Sequence, residues 1–263
     1  AYVAAGEAGF RIYDVSSPNR PELRSVFTGV TNARAVAVAG AVAYVGDGQY
    51  GVKIVDVSNP LAPTLLGAYA GPELSFIKNV GVAGSFVVVN DGFKVCLLDV
   101  SDPGSPALTD TYAPPAFVHG LTVAEDRAYL ACGDAGLVVL YVSPVGLMPA
   151  GAYDTPGFAR GVSVSGDTAY VADGPGGWLT LDVADPATLS LVRASTAEGP
   201  VADVAVSGLL AVLGNGANAA RAMNVSTPLT PVLQQKFAPL VQAMRLRASG
   251  NLVAVAEDVA GLA

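Results

Sequence analysis

Histidine is nearly missing from this chain, at one residue in 263, and cysteine occurs only twice. A transition-metal site needs several such ligands close together, and His119, Cys96 and Cys132 are too few and too scattered to form one. Two cysteines also fall short of a disulfide framework. They belong to different copies of a repeat and to different places within it, so no bridge is expected. Charge is sparse as well: 14% of residues are charged, the net charge is −8 and the pI is near 4.5. Nucleic-acid phosphates would meet a field of the wrong sign. Although 52% of residues are hydrophobic and mean hydropathy is +0.48, glycines and polar turns interrupt every apolar run. None approaches the roughly 20 residues of a membrane-spanning helix, so the apolar content reads as core.

What the chain has is a period. The stretch 158–186, FARGVSVSGDTAYVADGPGGWLTLDVADP, recurs in degraded form throughout. Its landmark, Asp182, has equivalents in Asp14, Asp56, Asp99, Tyr141 and Asn224, and successive spacings are 42, 43, 42, 41 and 42. So regular a period marks a repeat architecture. Within one copy, Arg160–Ser165 alternates and meets Gly166-Asp167, a hairpin signal. Ala169–Ala172, Trp178–Val183 and Leu189–Arg193 follow as further short strands, rich in β-formers and without helical spacing. Four strands in about 42 residues predict an all-β protein, a β-propeller of four-stranded antiparallel blades forming one domain over residues 1–263.

The segments IYDVSSP, IVDVSNP and LLDVSDP, each followed by a strand, resemble the LVIVD-repeat family. That resemblance covers essentially the whole chain, with Tyr141 and Asn224 departing from it at the Asp position. It implies a propeller and an address that is secreted, periplasmic or at a bacterial or archaeal cell surface. It implies no catalytic residues.

Six runs precede a hairpin as opening strands: 33–39, 77–83, 118–124, 160–165, 201–207 and 241–249. Six blades are therefore expected, the last closed by joining the C-terminal strand to the N-terminal ones. Residues 253–263 repeat residues 1–11 at an offset of 252, so one second strand is surplus, and seven blades are the alternative. The chain begins inside a repeat without Met, as expected for part of a longer polypeptide or assembly.

One residue per copy stands at the start of the opening strand: Arg34, Lys78, His119, Arg160, Ala202 and Gln242. Antiparallel pairing sets these beside the end of the second strand, read as Asp47, Asn90, Cys132, Asp173 and Asn215. Arg34 with Asp47 and Arg160 with Asp173 are expected to neutralise each other. Lys78 and His119 would then keep donors for a polar or anionic ligand. Arg34, Lys78, His119, Arg160, Asp47, Asp173 and Cys132 thus form the candidate ligand site, at one mouth of the central channel. His119 beside Cys132 is the one pairing that could raise a thiolate, but no orienting group or oxyanion hole accompanies it. No catalytic residue, metal or cofactor is assigned. The Asp-Gly and Asn-Asp-Gly turns lack the spaced carboxylates of a calcium loop. Asp14, Asp56, Asp99 and Asp182 read as turn devices that accept backbone N–H bonds. Tyr44, Tyr129, Tyr170 and Trp178 read as packing between blades. The expected function is an extracellular or periplasmic scaffold binding a protein or a small polar ligand. The alternatives are a propeller hydrolase or lyase using the mouth, and a structural subunit of a surface assembly.

Overall fold

The computed structural model describes residues 1–215, 220–237, 243–249, 252–257 and 261–262. Three strands come first: β1 (Tyr2–Ala4), β2 (Phe10–Asp14) and β3 (Glu22–Phe27). The next blade is β4 (Ala35–Ala39), β5 (Val42–Gly46), β6 (Val52–Asp56) and β7 (Thr64–Tyr69). After it come β8 (Asn79–Ala83), β9 (Phe86–Asn90), β10 (Val95–Asp99) and β11 (Ala107–Tyr112). The following blade is β12 (Gly120–Ala124), β13 (Arg127–Ala131), β14 (Leu137–Ser143) and β15 (Gly146–Tyr153). Then stand β16 (Gly161–Ser165), β17 (Thr168–Ala172), β18 (Trp178–Asp182) and β19 (Ser190–Ser195). β20 (Asp203–Ser207), β21 (Leu210–Gly214), β22 (Ala220–Asn224) and β23 (Val232–Lys236) form the next. Last are β24 (Ala243–Ser249), β25 (Leu252–Glu257) and β26 (Gly261–Leu262).

The fold is all-β, a six-bladed β-propeller whose blades are opened by β4, β8, β12, β16, β20 and β24. Strands pair in sequence order, and the five blades from β4 to β23 each have four strands. Among the described residues, no pairing joins the strands of the two chain ends as expected. β24 takes β25 as its partner, while β1, β2 and β3 make a three-stranded sheet of their own. The reason is local: the surplus second strand at 252–257 follows β24 directly, and a hairpin costs far less loop-closure entropy than a partner at the other end of the chain.

Turn chemistry explains the regularity. The opening hairpins carry Gly40, Gly84, Gly166 and Gly208 at φ between 54° and 57°. Glu125 holds the same position in the β12–β13 hairpin at φ 54°, the one non-glycine with positive φ among the described residues. At the end of the third strand, Asp14, Asp56, Asp99, Asp182 and Asn224 each accept the N–H two residues on, at 2.8–3.0 Å. This is the turn device that the sequence predicts.

Packing falls into two compact units: Ala1–Pro114 with Val123–Ala128 and Tyr141–Met148, and Pro115–Thr122 with Tyr129–Leu140 and Pro149–Ala263. In the first, Tyr44 packs with Ile54 against Ile77, Val80, Val87 and Leu98 of the following blade. In the second, Tyr170 and Trp178 stack at 6.2 Å and pack against Val201, Val204, Leu213 and Met223. Aromatic side chains on the strands are therefore the filling between blades, as expected. Opening strands pack on one another almost backbone to backbone. A Cβ on Gly120 would come within 2.9 Å of the Gly161 Cα, and one on Gly161 within 2.3 Å of Asp203 Oδ1.

Candidate functional site

The candidate residues occupy matching positions because the backbone ladder puts them there. In the first unit, the Arg34 N–H donates to Gly46 O and the Lys78 N–H to Asn90 O, both at 2.8 Å. In the second, the His119 N–H donates to Ala131 O and the Arg160 N–H to Ala172 O, both at 2.8 Å, and the Ala202 N–H to Gly214 O at 2.7 Å. Gln242 lies outside the described residues.

This register corrects one alignment. Asn90 is the partner of Asn79, as Gly46 is of Ala35, so the equivalent of Asp47 is Asp91. Asn90 instead turns inward, fully buried, and its Oδ1 accepts from the Asn79 amide at 3.1 Å.

The expected ion pairs are absent. Neither Arg34–Asp47 nor Arg160–Asp173 forms, whereas Arg24–Asp14 and Arg127–Asp126 do pair. Asp47 and Asp173 spend their carboxylates on the segment that leads into their own blade, and Asp91 divides its own between that segment and the turn that follows it. Asp47 Oδ1 accepts the N–H groups of Thr31 and Asn32 at 2.7 and 2.6 Å. Asp91 accepts from the Ser75 hydroxyl at 2.9 Å and from the N–H groups of Phe93 and Lys94. Burial works to raise the Asp91 pKa, but these N–H bonds outweigh it and hold the carboxyl below its ordinary value. Asp173 Oδ1 accepts from the Thr155 hydroxyl at 2.6 Å. Here burial dominates and pushes the carboxyl up. Asn215 makes the equivalent tie through its amide, to the Glu198 carbonyl. In Asp47 and Asp173 one carboxylate oxygen is so engaged, while Oδ2 is buried without a hydrogen-bond partner among the described residues; reaching an exposed guanidinium would require giving the existing bonds up.

The arginines turn to aromatic rings instead. Arg34 and Arg160 are exposed, and neither guanidinium has a hydrogen-bond or carboxylate partner among the described residues. In the first unit the Arg34 guanidinium lies 5.4 Å from the ring centre of Phe76. In the second, the Arg160 guanidinium lies 5.2 Å from that of Phe158. The His119 ring stands between Phe117 at 4.7 Å and Phe158 at 4.8 Å. Phe117, His119, Phe158 and Arg160 therefore form one ladder, half-buried along its rings and exposed at its arginine end.

Glycines make room for it. Gly133 and Gly174 sit at φ 55° and 56° in matching turns. A Cβ on Gly133 would reach 2.9 Å from Phe158 Cζ, and one on Gly174 would lie 3.3 Å from Arg160 Nε.

The expectation that Lys78 and His119 would be the free donors is thus reversed: both are engaged, and the arginines are open. Phe76, Phe117 and Phe158 are the site residues missed in the sequence. Their signal was a spacing of 41 residues, each two before a basic residue. Cys132 is fully buried and free, and burial pushes its thiol up to about 12, away from the thiolate that a nucleophile needs. Cys96, also buried and free, is pushed up to about 12 as well. Among the described residues no cluster of three or more His, Cys, Asp or Glu could hold a metal ion, and no helix is long and apolar enough to cross a membrane.

Comparison with known proteins bears on the repeat and the fold. A family model described as the LVIVD repeat matches residues 1–28, 31–71, 77–113 and 156–196, more than half of the chain. No curated protein matches the sequence. Among solved structures, one from the Mitotic Checkpoint Complex is 15% identical with a TM-score of 0.79, covering 99% of this chain and 82% of its own. The RRP9 WD40 repeats are 13% identical with a TM-score of 0.74, covering 97% and 83%. A chain of the Nidogen/Laminin complex is 11% identical with a TM-score of 0.61, covering 89% and 92%. At these identities the likeness is one of fold.

Proposed function

The chain belongs to the LVIVD-repeat family, and from that premise we propose that it is an exported binding scaffold that engages a protein partner through the rim where its blades open. The observation that carries this reading is the pair of exposed arginines, Arg34 and Arg160, held over phenylalanine rings and left unneutralised by the aspartates beside them. Open charge above half-buried aromatic rings is a recognition chemistry: the rings supply contact area and the cation supplies orientation. Two of the solved structures that share the fold, the Mitotic Checkpoint Complex and the Nidogen/Laminin Complex, are protein complexes, which supports the same kind of use. Export is supported by the family's usual occurrence at bacterial and archaeal surfaces.

The test is affinity capture from the source cells with the wild-type chain and with an Arg34→Ala/Arg160→Ala variant. A partner held by the wild type and lost by the folded variant is the expected result. Capture indifferent to both arginines would move the interface elsewhere, as for a structural subunit. Turnover of a substrate, lost on His119→Ala, would replace the scaffold with an enzyme. Fractionation of the same cells checks the address, and a purely cytosolic chain would overturn it.

A further inference from the structure

We infer that the stacked arginines are carboxylate sites, and that the partner presents a short acidic peptide segment with an apolar or aromatic side chain beside its carboxylate. This rests on the scaffold reading above and specifies the chemistry of its rim.

A guanidinium drawn to a ring face by cation–π attraction keeps its N–H donors for other partners. Their planar fork matches the two oxygens of a carboxylate in a bidentate pair. Because the ring already fixes the side chain, less rotamer freedom is lost on binding. Arg160 has this arrangement over Phe158 in one unit, and Arg34 has it over Phe76 in the other. The arrangement is built rather than incidental. Gly174, at φ 56°, lets the Arg160 side chain pass 3.3 Å from where a Cβ would stand, and Gly133 gives Phe158 its space. The aspartates nearest in sequence register are buried, Asp47 bonded to backbone N–H groups and Asp173 to the Thr155 hydroxyl, and neither pairs with these arginines.

The partner's class follows from what surrounds the cations. A polyanion such as nucleic acid or a phosphate-rich glycan demands a continuous basic surface, and this chain carries 14 basic against 22 acidic residues. Single arginines flanked by half-buried phenylalanines fit one or two carboxylates with hydrocarbon between them. The Phe117–His119–Phe158 rings offer the apolar half of that contact.

The test uses the full chain, labelled with 15N, and follows the arginine Nε–H resonances by NMR. The probe is an end-blocked Gly-Glu-Phe-Glu-Gly peptide, with Gln replacing both Glu residues in the control. Arg160→Lys and Arg34→Lys assign the signals and keep the charge while removing the planar fork. The Glu peptide is expected to shift the Arg160 and Arg34 signals, the Gln peptide to leave them, and Arg160→Lys to weaken binding at its site about tenfold. Equal shifts from both peptides, or undiminished binding by the lysine variants, would overturn the carboxylate assignment. Tighter binding of inorganic phosphate or of an oligogalacturonate at Arg160 would overturn the partner class. Failure of the Glu peptide alongside an arginine-dependent capture would sink this inference and leave the scaffold standing; loss of both would remove the two together.

Discussion

In the blade β16–β19 the third strand ends on Asp182, whose Oδ1 accepts the Ala184 N–H at 3.0 Å. Asp185 then caps a single 3-10 turn at Pro186–Thr188. In the preceding blade, β12–β15, the same position is Tyr141, and the Asp-Ser-Pro turn is gone. β14 runs on to Ser143, β15 begins at Gly146, and the two are joined tightly, with the Ser143 hydroxyl donating to Gly146 O at 3.1 Å. The N–H of Leu147 is satisfied from outside the blade, by Asp110 Oδ2 of β11 at 2.8 Å. The family model passes over this copy, yet its sheet has the same four strands in the same order. A blade thus needs its N–H groups satisfied and its alternating faces buried, as Leu137, Val139 and Leu140 are. The signature turn is one way among others to meet the first need.

The largest effect should come where the two blades meet. Gly151 on β15 faces the turn between β18 and β19 so closely that a Cβ would stand 1.7 Å from Pro186 O. Gly151→Ala is expected to lower stability by about 2–3 kcal/mol, since backbone must move to admit it. A urea unfolding midpoint unchanged from wild type would show that the close approach is not maintained in solution.

The two caps should differ in cost. Asp110→Ala strands the N–H of buried Leu147 and is expected to cost about 1–2 kcal/mol. Asp182→Ala frees an exposed N–H that water can take, and about 0.5–1 kcal/mol is expected. The same chemical denaturation series reads both, and a reversed order would break the comparison.

The opening hairpins sharpen it further. Gly166 has φ 54° with nothing within 4 Å of a Cβ, so Gly166→Ala isolates the backbone cost, about 1 kcal/mol of destabilisation. Glu125→Gly at the matching place should gain about 0.5 kcal/mol, strain relieved less the entropy that glycine adds to the unfolded chain. Calorimetric midpoints shifting in opposite directions are the check.

The smallest effect is electrostatic. Asp173, whose pKa burial raises, holds its proton in the folded state to a higher pH than it does unfolded. Between the two pKa values the unfolded chain binds fewer protons, so stability falls as pH rises through that window. Asp173→Asn should therefore gain on the wild type as pH rises from the ordinary carboxyl value through the raised folded one, then hold a constant difference. Asp56 and Asp99 act in the other sense. Their pKa values are lowered by the N–H bonds of Ser58 and Ser101, and their contribution fades as acid protonates them. Melting temperatures across pH 3–7 would separate the two, and a flat difference between Asp173→Asn and wild type would remove the buried-carboxyl account.

Much of the fold was legible because it is written in local terms. Strand positions in the 158–194 copy fall within a residue or two of β16–β19, since alternation and turn residues both report on backbone. The site was legible only in outline. Arg34, Lys78, His119 and Arg160 do start their strands side by side with a second-strand end, as the repeat implies. Their partners were not legible, and for Asn90 a shift of one residue was enough to name the wrong side chain.

Strand positions, the order of pairing within a four-stranded blade and the turn aspartates follow from the sequence alone, because each depends on residues near one another in the chain. The tertiary structure decided the rest. It brought the Thr31 and Asn32 N–H groups to Asp47, and the Thr155 hydroxyl to Asp173, before any guanidinium could compete. It also laid Arg34 and Arg160 over phenylalanine rings. Which of several compatible partners a polar side chain takes is settled by distance and burial in three dimensions, and neither quantity is periodic in the chain.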